Sequence, residues 1–134
     1  MADPAKTDRA SEGDLISASW IFEQLALQEG LHVDRSKTRR AVDEAAETYF
    51  GIQDGGWWRW IIETAHSLGR GCRVIDGELH DLIQMARNGL TVILRSGDGN
   101  TWHSIMPGKG RKLYFGSPRG VLPLRVVTRS RVAS

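Results

Sequence analysis

Apolar residues recur at helical spacing through the first two thirds of the chain, and β-rich runs take over in the last third. From Asp14 to Glu29 the positions Leu15, Ile16, Trp20, Ile21, Leu25 and Leu27 form an approximate stripe. Asp14 is a suitable N-cap there, and Gly30 stops the helix as a C′ glycine does. "LHVDRSKTRRAVDEAAETYFG" reads as a short extended piece and a second helix, capped by Asp34 or Ser36. Val42, Ala45, Ala46 and Tyr49 face inward, and Gly51 ends it. After the loop "IQDGG", a third helix is predicted from about Gly56 to Leu68, with Gly69 as its stop. "CRVI" reads as a short strand, and "DGELHDLIQMARNG" as a fourth helix between Asp76 and Gly89. "LTVILRS", "TWHSIM", "RKLYFGS" and "LPLRVVT" are then strands punctuated by "GDGN", "PGKG" and "SPRG". Helices followed by strands predict an α+β fold, an antiparallel sheet carrying the helices on one side.

Composition narrows the class without naming a function. A length of 134 residues suits one domain, and 40% apolar with 25% charged residues is ordinary globular content. The expected organisation is a flexible segment over 1–13, a domain over 14–128 and a basic tail over 129–134. No run approaches the roughly 18–20 apolar residues of a membrane span. The first residues have no apolar h-region of the kind a secretory signal carries. Cys72 is the single cysteine, which rules out an intramolecular disulfide framework and points weakly to a reducing compartment. His32, His66, His80 and His103 lack ligand spacing, so neither a metal nor another cofactor is expected.

Charge is uneven although the net value is only +2. After Asp98 no acidic residue occurs, while Lys109, Arg111, Lys112, Arg119, Arg125, Arg129 and Arg131 follow. Such a segment suits an anionic partner, nucleic acid or a membrane surface, and equally a solvated strand face with a basic tail. Trp57, Trp58 and Trp60 lie within four residues. Trp57 and Trp60 share a helix face and Trp58 points elsewhere, so exposed rings could anchor a peptide, while core residues plus one half-exposed ring are the plainer alternative. The basic strands and the tryptophans fall on different elements, which disfavours nucleic acid. The glycine turns do not join a strand to a helix N-terminus, so they make no phosphate loop. His103, entering a strand, is the best general-base candidate; Cys72, the only thiol, sits in an apolar run where cysteine is ordinarily inert filling.

The order of these landmarks resembles the papain-like peptidase domain of ABC exporters that cleave double-glycine leaders from bacteriocins. The resemblance covers about residues 11–125. In that family a Cys-Gly pair opens the first helix about thirteen residues before a glycine; Ser17 and Ala18 stand at that distance from Gly30. "GIQDGGWWRWIIETAHSLGR" is similar to the family's glycine loop and helix ending in Leu-Gly, and "GLTVIL" to a following strand. "WHSIM" resembles the catalytic histidine strand, which would place His103 at the base. "KLYFGSPRG" resembles the last strand, with Ser117 where the orienting aspartate belongs. The oxyanion glutamine, near Ser11, is also missing.

The resemblance implies a papain-like cysteine peptidase fold whose triad, now Ser17, His103 and Ser117, is degenerate. A serine is a poorer nucleophile than a low-pKa thiolate, and losing the orienting carboxylate alone costs about 10⁴ in rate in a serine protease. It therefore implies an inactive domain that holds the transported polypeptide, or its leader, at the cytosolic face of the inner membrane. Trp57, Trp58 and Trp102 would wall its cleft. Membrane and ATPase domains of the same transporter would be its partners if the chain is a fragment, and a basic segment before a membrane span suits that position. Alternatives are an active leader peptidase or hydrolase using Ser17 or Cys72 with His103, and a nucleic-acid-binding module. The triad alignment requires Ser17, at the start of the first helix, to face His103.

Overall fold

A computed structural model describes residues 10–50, 58–75, 77–95, 101–108 and 112–123. Four helices precede a four-stranded antiparallel sheet: α1 (Glu12–Gln28), α2 (Arg35–Tyr49), α3 (Arg59–Ser67) and α4 (Leu79–Arg87), then β1 (Val92–Arg95), β2 (Trp102–Pro107), β3 (Leu113–Ser117) and β4 (Gly120–Pro123). The strands lie in the order β1-β2-β3-β4. The α+β class follows from these elements. Helix ends match local chemistry. Asp34 caps α2 by accepting from the Lys37 backbone N–H at 3.0 Å. Gly30, Gly69 and Gly89 take positive φ values of 70°, 77° and 94° just past α1, α3 and α4, where only glycine is unstrained.

The start of α1 differs from expectation. Its N-cap is Ser11, and Asp14 is the third helical residue of a capping box. Ser11 Oγ accepts from the Asp14 N–H at 3.1 Å, while Asp14 Oδ2 accepts from the Ser11 N–H at 3.0 Å. The inward stripe is also rotated. Asp14, Ser17, Ala18, Ile21 and Phe22 are buried, whereas Ile16 and Leu27 are 46% and 57% exposed. Small residues face inward because α1 lies close against β2; bulk there would hold the helix off the sheet.

The helices do not all lie on one side of the sheet, contrary to expectation. Strand alternation divides the sheet into two faces. Ile93 and Trp102 join the core made by α1, α2 and α3, with Ile21, Val42 and Trp60 at its centre. Val92, Ile105 and Leu113 pack instead against Ala86 of α4. The sheet is thus a middle layer between three helices and one. "CRVI" forms no strand: residues 70–75 have no ladder partner, Cys72 packs on the larger core, and Val74 and Ile75 are exposed. A run of strand-forming residues makes a strand only beside another strand's edge, and none is bonded there. "LPLRVVT" contributes only its first two residues to β4; residues beyond Pro123, like Gly51 and Trp57, lie outside the described residues.

Gly116 lets Trp20 of α1 lie close against β3. A β-carbon there would lie 2.7 Å from Trp20 Cη2 and 3.1 Å from Met106 Cε. The indole edge is rigid, so it must move as a whole. Gly116→Ala is expected to lower stability by about 1–3 kcal/mol, read as a fall in the urea midpoint with unchanged slope.

Candidate functional site

Asp14, 1% exposed, joins helix cap, strand and cation through one carboxylate. Its Oδ2 is held by Ser11, and its Oδ1 accepts from Trp102 Nε1 at 2.8 Å. Arg95, from the end of β1, approaches the same oxygen with Nε at 3.4 Å and Nη2 at 3.5 Å. The guanidinium also lies over the Phe50 and Trp102 rings, 5.7 and 5.8 Å from their centroids. A buried carboxylate is costly unless its lone pairs are occupied. Here the helix cap, an indole and a cation occupy them together.

Ser17 lies one turn further along α1 and is equally buried. Its Oγ donates to the Gly13 carbonyl at 2.6 Å and accepts from the Trp102 backbone N–H at 2.9 Å. β3 pairs with β2 only from Ser104 onward, so the N–H of Trp102 finds its partner on the helix instead. The hydroxyl proton points at a carbonyl that cannot remove it, and no imidazole stands beside it. Ser17 is a clamp between α1 and β2.

His103 occupies the other face of the sheet. Its ring stacks on Phe115 with centroids 5.1 Å apart and 16° between planes, and its Nδ1 is buried without a hydrogen-bond partner. Strand alternation places Ser117 on that face too, two residues beyond Phe115. Its Oγ accepts from the Arg119 N–H at 3.3 Å, within the β3–β4 turn. The structure therefore does not bring Ser17 to His103. Facing Ser17 is Trp102, one residue earlier in the strand. The period of two along β2 sends neighbouring residues to opposite faces, so the triad alignment fails by a single position. Cys72 with His103 fails similarly, since Cys72 packs on the face that holds Trp102.

The expected cleft walls fare unequally. Trp57 lies outside the described residues. Trp58 is 39% exposed, and its ring meets Trp102 edge-on at 5.9 Å. Trp102 is fully buried between Trp58 and Trp60 and lies behind them at the floor of an adjoining groove. It is a core residue, because its indole reaches inward to Asp14. Beside this cluster a groove of about 1610 Å³ runs between α1, α3, residues 69–75 and the edge of β1, with Trp58, Ile62 and Leu68 among its walls. That exceeds the roughly 300–1,000 Å³ of small-molecule pockets. Sequence reading missed Asp14 as a buried anchor and Arg95 as its cation. The available signals were the Ser11/Asp14 capping pair and a lone arginine ending an apolar strand.

Burial raises the Cys72 thiol above its ordinary pKa. Among the described residues no three His, Cys, Asp or Glu side chains converge as a metal requires, and no helix is long and apolar enough to cross a membrane. No family model, curated protein or solved structure matches the chain.

Asp14→Ala strands a buried indole N–H and removes the anion opposite Arg95. It is expected to cost about 3–5 kcal/mol. Trp102→Phe removes one bond to a charged acceptor, about 1.5–3 kcal/mol. Chemical denaturation of both single variants and the double variant should show a total clearly below the sum, because the two side chains share one interaction. Cys72, with its thiolate disfavoured, should react with iodoacetamide at pH 7 more slowly than a free thiol. Its rate should keep rising with pH beyond the point where glutathione has levelled off.

Proposed function

We propose that this chain is a non-catalytic, papain-like peptidase domain that holds a transported polypeptide, or its leader, at the cytosolic side of an ABC exporter. The observation that carries this reading is the meeting of the α1 serine with the first residue of β2. Helix serine and strand approach each other as nucleophile and base do in the family that the sequence resembles, with an indole in place of the imidazole. Moving the strand alignment by one residue puts Trp102 at the base position, and His103 becomes its neighbour on the opposite face. Nothing of the triad then remains. Ser17 donates its hydroxyl proton to a backbone carbonyl, the base position holds an indole with no basic nitrogen, and Ser117 takes part in a turn.

What such a domain retains is a surface. The groove beside Trp58 is predominantly apolar, and exposed Leu31 and Leu90 extend it. A contiguous apolar surface of this kind marks an interaction site. Beneath it, buried Phe50, Trp60 and Trp102 pack ring against ring, and the Trp58 ring rests edge-on upon Trp102. A rigid aromatic anchor binds with little loss of side-chain entropy.

Incubation with a synthetic double-glycine leader peptide tests both halves. The peptide should bind, by calorimetry, and emerge uncleaved by mass spectrometry. Trp58→Ala should weaken binding about tenfold or more, as loss of an aromatic anchor does, and His103→Ala should leave it unchanged. Cleavage that disappears in His103→Ala or Ser17→Ala would overturn the reading, as would the absence of any binding.

A further inference from the structure

The groove has a feature that says what shape of ligand it takes. A cavity over a sheet face is lined by alternate residues of a strand, since their neighbours point away. This groove is lined by Val92, Ile93 and Leu94, three consecutive residues of β1, as well as by residues 89–91 leading into it. It therefore meets the outer edge of β1. Among the described residues no strand lies beside that edge: β1 is terminal in the four-stranded sheet and pairs with β2 alone. Half the backbone N–H and C=O groups of an edge strand point outward and await a partner. The opposite wall, residues 69–75, makes no backbone hydrogen bond to Val92, Ile93 or Leu94.

We infer that the outer edge of Val92–Leu94 receives an extended segment of polypeptide as an added strand, with its alternate apolar side chains in the groove and an acidic residue beside Arg73. This rests on the polypeptide-binding reading and deepens it. The backbone edge supplies hydrogen bonds that are indifferent to sequence, and the groove selects alternating apolar side chains. Residues of α1, α3 and 69–75 line the groove beside this edge, and a flexible extended chain enters a walled groove more readily than the edge of a second folded copy does. Charge at the rim completes the chemistry. Arg70 is paired with Glu29, whereas exposed Arg73 has no ion-pair partner among the described residues. A carboxylate on the incoming segment is its natural complement.

The probes are three acetylated, amidated nonapeptides. The first alternates threonine with valine and isoleucine and carries one terminal glutamate. The second is its twin with every interior amide nitrogen methylated. The third is a helix-favouring peptide with leucines at i, i+4 spacing and the same charge. The first should bind, and hydrogen exchange of the Val92–Leu94 amides should slow with it. Methylation should weaken binding about thirtyfold, the worth of two net backbone hydrogen bonds. Arg73→Glu, an exposed change that leaves the fold intact, should weaken it about fivefold. Equal binding of the methylated twin, or tighter binding of the helical peptide, would overturn strand addition and leave polypeptide binding standing. Sedimentation showing a dimer that protects the same amides would overturn it in favour of a second copy. Failure of all three nonapeptides while the double-glycine leader binds sinks this inference alone. Failure of the leader as well sinks the function proposed above.

Discussion

One buried carboxylate joins the two halves of this molecule. Asp14 belongs to the first turn of α1, where its backbone and side chain complete a capping box with Ser11. The same side chain receives the indole of Trp102 from β2 and the guanidinium of Arg95 from β1. Three elements with no local reason to meet are thereby held at one point. Ser17, one turn on, adds a second bond to the backbone of Trp102. Each contact reinforces the next, because a carboxylate out of water must have its lone pairs occupied, and this one has helix, strand and cation doing so together.

That junction also explains the placement of the aromatic residues. Drawing Trp102 inward to Asp14 stacks it edge-on against Trp60 and leaves Trp58 as the outermost ring. The groove beside Trp58 is consequently bounded by a rigid cluster on one side and a bare strand edge on the other. An edge that is unpaired among the described residues, beside a packed aromatic cluster, is what the polypeptide capture proposed above would use. Chemistry would need a proton acceptor beside Ser17, and the junction fills that place with an indole whose nitrogen only donates.

Much of the architecture was legible from local signals. Gly30, Gly69 and Gly89 marked helix ends because the residue past a helix adopts positive φ, which glycine alone does without strain. Alternation and tight turns disclosed the first three strands near their limits, whereas "LPLRVVT" overlapped β4 by two residues only. The misreadings have a common origin in tertiary contact. The α1 stripe was read from bulky apolar residues, yet close approach to the sheet put Ala18 and Ser17 inside and left Ile16 out. "CRVI" has strand composition but no adjacent edge to bond. Sequence periodicity likewise carried no information about which helix would cover which face of the sheet, so α4 was expected beside the others.

The candidate site shows the same division more sharply. "TWHSI" by itself determined a strand, an inward and an outward face, and a histidine beside a tryptophan. Which of the two would face α1 depended on the sheet's placement between its helix layers, and only the tertiary structure decided it. Side chains along a strand alternate with a period of two, so an offset of one residue exchanges the faces completely. Asp14 settled that offset in favour of Trp102, because a buried carboxylate needs the donor that the indole offers, and His103 was left to stack on Phe115 with the other core.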